Sequence, residues 1–430
     1  FQILEEPQAA TNRLGRLRRI QIRNATVHIV DEQIGIAWLV DEAGVEFERD
    51  ENRLQLDIAG NMATPSGFAP VEVRLEAGAD LESLLLSARV EDVSPAGVLP
   101  ANGPLSPLRA LDAPVALDVV MDATRATGIR TASITLDVGE GVLLNGGEAT
   151  DMRGARFAAS FDPVHSVLTV HEGRVDSDLV EVSLSGEVTD LGGYVGALPM
   201  QGSFRLEIGP GFVDIGPVFE VNPQWDSLVA EGELRLDEFA ADLTRLQVDT
   251  SGIRAVLSGS TRLEQRSDGR WLPHLRLTGP IEGDVAPETV LAYWPVELAD
   301  SAREWVAERI LGGRFYNAHF DLDLLPEDIE REYMANERMT LSFDFENASV
   351  LYISTMSPLE DADGSAVLRG NAFEVALEQG RIGDIRLTEG FVDIPRLNPK
   401  GAVARYGGVA QGRASDILAL IDEEPLYLVS

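Results

Sequence analysis

Apolar and polar residues alternate with a period of two along most of the chain, and turn residues break the alternation roughly every eight to twelve positions. In the N-terminal half the apolar positions are Leu54/Leu56/Ile58, Val71/Val73/Leu75, Val115/Leu117/Val119, Ile134/Leu136/Val138 and Val182/Leu184. Further along they are Phe204/Leu206/Ile208, Ala255/Leu257, Leu275/Leu277, Leu341/Phe343/Phe345, Phe373/Val375/Leu377 and Ile385/Leu387. Successive side chains of a strand point to opposite faces, so each segment predicts one apolar row and one polar row. The polar row is often charged, as with Glu72 and Arg74, or Arg276 between Leu275 and Leu277. The expected fold class is therefore mainly β, a long meandering antiparallel sheet with a few short helices.

An apolar–x–apolar–x–Gly pattern recurs at Leu56/Ile58/Gly60, Val182/Leu184/Gly186, Ala255/Leu257/Gly259, Leu275/Leu277/Gly279 and Ala366/Leu368/Gly370, and reads as a strand ending. Its spacing is too irregular for a solenoid repeat and predicts a meander of hairpins instead. Such a sheet must hide its apolar face in one of two ways. It packs against a second sheet as a sandwich, or it curls so that the apolar face lines an open trough. The pattern alone leaves both open.

Helical signals are local. Pro287–Tyr293 reads as a short helix ended by Pro295, and Ser301 with Glu304 forms a capping box for a second, stopped by Gly312–Gly313. A third is expected at 415–422, with Ser415 as its cap. The chain is thus read as one elongated, repeat-like β segment over 1–430, with a helical insert at 286–313.

Composition changes this picture little but excludes much. Forty glycines and twenty-two prolines suit many short strands. A net charge of −36 offers no basic face for phosphates, so no nucleic acid is expected as a partner. Lys400 is the only lysine among 35 basic residues, and the absence of cysteine excludes disulfides and thiolate chemistry. No apolar run is long enough to span a bilayer, and the chain opens at Phe1 without a signal-peptide pattern, which reads as a fragment of a larger protein.

Candidate chemistry is sparse. None of His28, His165, His171, His274 and His319 stands at a familiar metal-ligand spacing, although His165 and His171 with Asp162 and Glu172 form the nearest thing to a cluster. Glu360, Asp361 and Asp363 before Gly364 resemble a loose calcium loop without its closing glutamate, and Asp321/Asp323 are a carboxylate pair on one strand face. Asn24-Ala-Thr and Asn347-Ala-Ser fit the glycosylation sequon. Arg13, Arg16, Arg18 and Arg19 make one basic cluster, read as a solvated strand edge with Leu14 and Leu17 turned inward. Tyr293, Trp294 and Trp305 read as packing anchors, and a helix carrying them is also placed to cap one end of a trough. No catalytic residue, metal ligand or cofactor site is assigned, and the chain is not expected to be an enzyme.

One segment carries a resemblance. Tyr293-Trp294-Pro295, then Ala302-Arg303-Glu304-Trp305, then Ile310 to Gly313 and the alternating Ala318/Phe320/Leu322, resembles the central domain of AsmA-like proteins of the YhdP type. Val409 to Leu426 and the hairpin of Ile20 to Phe47 resemble other parts of that family. The family is related to the TamB-like bridge lipid-transfer proteins. The resemblance implies a periplasmic protein anchored in the inner membrane by a segment outside this chain. It implies a curled sheet whose apolar groove carries phospholipids between inner and outer membrane, with membrane proteins as partners at the ends of the full-length chain. Tyr293, Trp294, Pro295, Arg303, Trp305, Gly312 and Gly313 would then be structural motif residues.

The expected groove lining follows from the apolar rows. It comprises Leu56, Ile58, Val182, Leu184, Leu206 and Leu257, then Leu275, Leu277, Leu341, Phe343, Phe345, Val375 and Leu377. A slip of one residue would invert every such assignment. The competing expectations are a non-catalytic structural or outer-membrane assembly protein built as a closed sandwich array, and a carbohydrate-binding or adhesive β protein with an aromatic platform.

Overall fold

A computed structural model describes residues 18–31, 36–64, 67–99, 106–145, 148–192, 199–214, 222–292, 300–329, 334–353, 355–399 and 401–428. Contacts divide the chain into two units, Phe1–Leu206 with Leu234–Asp237, and Glu207–Glu233 with Glu238–Ser430. The first holds strands β1 (Arg19–Asp31), β2 (Ile36–Arg49), β3 (Arg53–Thr64), β4 (Gly67–Gly78) and β5 (Ser83–Val93), the helix α1 (Pro95–Val98), then β6 (Leu111–Asp112), β7 (Val115–Thr124) and β8 (Gly128–Val138). It continues with β9 (Gly141–Asn145), β10 (Glu148–Asp162), β11 (Val167–Ser177), β12 (Val180–Gly192) and most of β13 (Gln201–Ile208). Next come β14 (Gly211–Val213), β15 (Gln224–Trp225), β16 (Ser227–Arg235), β17 (Ala240–Thr250), β18 (Ile253–Gln265) and β19 (Trp271–Glu282). Helices α2 (Pro287–Ala292) and α3 (Asp300–Arg309) lead into β20 (Ile310–Leu324), β21 (Met339–Val350), β22 (Leu359–Arg369), β23 (Ala372–Ile382), β24 (Ile385–Ile394), β25 (Arg405–Gln411) and α4 (Ala414–Ile421).

Each unit is the expected meander. In the first, β1 through β5 pair in sequence, β5 pairs β7, and the ladder runs on through β8, β10, β11 and β12, all antiparallel. In the second, β17 through β25 pair in sequence, also antiparallel. The ladder ends open in each unit among the described residues: β1 pairs only β2, and β25 only β24.

The strands bend at one recurrent device. Register shifts between Ile22 and Ala25, Asp41 and Gly44, Tyr316 and His319, Phe345 and Ala348, and Glu360 and Asp363 mark β-bulges. Each holds one residue in the left-handed region, Asn24, Glu42, Asn317, Asn347 and Asp361, at φ between 50° and 54°. In all five an alanine follows. Asn and Asp tolerate that backbone better than most residues, and the small side chain lets the two limbs of the bent strand approach. Ala43 and Ala362 are fully buried and Ala348 nearly so. The two sequon asparagines are therefore bulge residues inside strands.

Three sequence expectations are corrected. Gly60, Gly186, Gly259 and Gly279 lie inside their strands, not at strand ends; only Gly370 follows one. The reason is close approach: a Cβ on Gly259 would stand 1.9 Å from the carbonyl oxygen of Arg276 on the neighbouring strand. Gly312 and Gly313 lie in β20, which begins at Ile310 directly after α3, so they do not stop the helix. A Cβ on Gly313 would stand 2.8 Å from the Cα of Ala348, so that glycine serves the bend of the sheet. Finally, α3 begins at Asp300 and α4 at Ala414, each one residue before the expected cap, and Ser415 lies in the first turn of α4.

Candidate functional site

The cross-strand register turns the alternation into a surface. In the first unit one row runs Ile20, Phe47, Leu56, Leu75, Leu86, Met121, Ala132, Phe161, Leu168 and Val188 across ten strands, each paired with the next. The adjacent row on the same face runs Ile22, Val45, Ile58, Val73, Ala88, Val119, Ile134, Ala159, Val170 and Gly186. Neither row contains a polar side chain. The row between them, on the opposite face, runs Gln21, Glu46, Asp57, Arg74, Ser87, Val120, Ser133, Ser160, Thr169 and Glu187, and only Val120 is apolar.

Burial decides how the apolar face is covered. Among the twenty positions of its two rows only Ala159 and Val170 are buried; Ile20 and Ile22 are exposed and the others half-buried. The inner face of a sandwich would bury nearly all of them against the facing sheet. The buried residues instead gather beside these rows in two small clusters, Val40, Ala43, Met62, Ala69 and Val71, and Ala113, Val115, Val138 and Met152. The first unit thus presents an open, apolar face on a sheet bent at its bulges.

The second unit has the same one-sided register, with more of its apolar positions buried. Leu257 lies against Gly279, and from there Phe320, Leu341, Leu368, Phe373 and Ile394 follow in register. Next to them Phe343, Ala366, Val375 and Val392 form a second row, and Phe345, Gly364, Leu377 and Gly390 a third. Leu275 and Leu277 pair Leu324 and Leu322 on this face. Register therefore joins Leu56 and Ile58, Val182 and Leu184 in the first unit, and Leu257, Leu275, Leu277, Leu341, Phe343, Phe345, Val375 and Leu377 in the second, each set on one apolar face. Leu206 is half-buried in β13.

The opposite face is held by charge. Arg74 reaches Asp57 directly across the ladder at 2.6 Å, and Arg156 sits between Asp137 at 2.6 Å and Glu172 at 3.1 Å. Exposed pairs of this kind add little stability, but they discriminate against a slipped register, which would set like charges opposite one another. The densest knot surrounds Asp323. Its carboxylate accepts from Arg276 at 3.0 Å, His274 at 3.1 Å and Arg338 at 3.0 Å. The Arg276 guanidinium, with His274 and Arg338 beside it, holds the Asp323 carboxyl below the usual carboxylate range. A lowered carboxyl pKa stabilises the fold above the unfolded-state value, near 4, and that contribution disappears as pH falls through the lowered folded value. Asp323→Asn is therefore expected to lower the thermal midpoint at pH 7 by several degrees, a loss of about 1–2 kcal/mol. The gap from wild type should narrow as pH falls below the unfolded-state value near 4 and through the lowered folded value, as followed by circular dichroism across a pH series.

The remaining candidate residues have local roles. Asp162 accepts from the backbone of Val164 and contacts the His165 ring at 2.7 Å within one turn, while His171 pairs Ser160. Glu360 and Asp361 sit in β22, not in a loop, and both meet Arg381; Asp363 accepts the amide of Asn347 and a Gln379 side-chain hydrogen bond. Arg19 pairs Glu46 and Glu48. Arg13, Leu14, Arg16, Leu17, Tyr293, Trp294 and Pro295 lie outside the described residues. Arg303 donates to the Leu291 carbonyl at 3.4 Å, tying α3 to α2, and Trp305 lies on α3. Among the described residues no group of three acidic or histidine side chains is placed to hold a metal, and no helix is long and apolar enough to cross a membrane.

Sequence reading missed the bulge alanines, which sit where the strands bend. The signal was present as a recurring Asn/Asp/Glu-Ala pair within alternating segments.

Neither the comparison with curated proteins nor that with solved structures returned a match. The model of the family described as YhdP protein matches residues 173–428, more than half of the chain, beginning in β11 and ending after α4. Together with the one-sided sheet, this match means that the chain belongs to the YhdP family of AsmA-like proteins.

Proposed function

We propose that the apolar face is a groove for the acyl chains of phospholipids, and that this chain is a carrier segment and not an enzyme. One observation carries the reading: two rows without a polar side chain cross ten strands while staying half-open to solvent. Ten strands at about 4.8 Å spacing extend that strip over roughly 43 Å. A strip of this size left to water is costly, because each buried methylene is worth roughly 0.8 kcal/mol. A chain of about 15 methylenes laid along it with half its surface covered would gain on the order of 6 kcal/mol. The headgroup stays in water at the open side. Contacts of this kind have no direction, so neighbouring positions are nearly equal in energy and a chain can slide along the strip.

The proposal sets this activity in the periplasm, on a protein anchored in the inner membrane, with transfer between inner and outer membrane and membrane proteins at the ends of the full-length chain. A photocrosslinking residue at Val73 in cells should yield a phospholipid adduct, while one at the neighbouring Arg74, on the opposite face, should not. Equal labelling at the two positions, or none at Val73, would contradict the proposal.

A further inference from the structure

The two apolar faces are not equally free, and on the reading above we infer that the acyl-chain site is the ten-strand face of the first unit, whereas between β20 and β23 the second unit fills its own apolar face with its own side chains. In the second unit Phe315 and Phe345 are buried, with Phe315 edge-on to Phe343 at 5.2 Å between ring centres. Val285 is bridged to Phe315 by two backbone hydrogen bonds, of 2.9 and 3.1 Å. Val290 of α2 packs on the same cluster. At the other end of these strands Leu397 is buried against Met339 and Leu368. It is held there by Asn371, itself 7% exposed, whose side-chain oxygen accepts the amides of Leu397 and Asn398 at 3.2 and 2.7 Å.

What seats on this stretch indicates what fits the face. Val285, Val290 and Leu397 are aliphatic and uncharged, and they pack on the buried clusters of the second unit's own apolar face. In the first unit, among the described residues, Ile58 and Val119 join no buried cluster and remain half-open, while Val73, also half-open, lies beside the cluster on which Val98 of α1 packs. A long aliphatic chain with its polar end in water is the ligand class both stretches accept. In the second unit α2 and the Leu397 segment hold that place, so a chain enters only when they yield. This α2 contact is short and rests on few side chains, which makes it the weaker of the two covers.

The test uses the whole chain with a photocrosslinking residue at Val119 or at Phe343, mixed with vesicles of phosphatidylethanolamine and phosphatidylglycerol. In the otherwise wild-type chain the lipid adduct should form at Val119 and at least tenfold less at Phe343. Adding Val290→Ser should raise the Phe343 adduct to within about threefold of Val119. Equal labelling at both positions without the substitution overturns the inference, and so does a folded Val290→Ser chain that still leaves Phe343 unlabelled. The comparison without the substitution decides the matter alone if that variant fails to fold. Absence of adduct at both positions overturns the lipid reading itself, which separates the two failures.

Discussion

Gly259→Ala is expected to destabilise the second unit by roughly 3 kcal/mol or more, the largest loss from adding a single methyl group at any described glycine. The added Cβ would stand 1.9 Å from the Arg276 carbonyl oxygen, 2.7 Å from its carbon and 3.1 Å from the Cα of Leu277. All three are backbone atoms of β19, which is itself fixed by β20 on its far side, so no side chain can swing away to make room. Strands β18 and β19 must separate locally or the ladder must break. Gly252→Ala is the control. It occupies an open turn at φ +82° with nothing within 4 Å of its Cβ, so only backbone strain of about 1 kcal/mol is expected. Urea unfolding of the two variants should differ by at least 2 kcal/mol in the same direction.

The second large effect concerns binding. Ile58→Asp combined with Val119→Asp is expected to reduce bound phospholipid at least tenfold while leaving the sheet folded. Both positions lie in one row, three strands apart along the first unit's ladder. Both are half-open, so a carboxylate there keeps contact with water and does not pay the full cost of burial. An acyl chain crossing the same row must then displace water from two charges. Even a fraction of the polar desolvation cost exceeds the 1.4 kcal/mol that corresponds to tenfold in affinity. Phospholipid extracted from the purified variant and assayed as phosphorus, beside an unchanged circular dichroism spectrum, checks the expectation. A variant that unfolds would place these residues in a packed core instead.

The one-sided meander was legible because alternation is a local property and the chain holds it at nearly every strand. Leu56/Ile58, Leu275/Leu277 and Phe343/Phe345 all fall on the apolar faces that the pattern assigned them. The choice between sandwich and trough was not legible, since both demand the same alternation. It is decided by solvent exposure at Val73 and Val119, a property of what lies opposite the sheet and not of the strand itself. The glycines misled for a related reason. A glycine in a turn and a glycine under a neighbouring strand look alike in sequence, and only cross-strand register shows Gly259 facing Leu277. The Asn-Ala and Asp-Ala bulges were hidden because their signal is a pair of ordinary residues whose meaning comes from repetition on adjacent strands. The filling of the second unit's face by Val290 and Leu397 depends on contacts distant in sequence, which periodicity does not report.

The central claim is that the half-open apolar rows hold phospholipid, and native mass spectrometry of the chain purified without detergent tests it most directly. The account predicts mass peaks above that of the bare chain by whole multiples of a phospholipid mass, lost in the Ile58→Asp, Val119→Asp variant. A single peak at the mass of the bare chain, from protein whose circular dichroism shows an intact sheet, would contradict it.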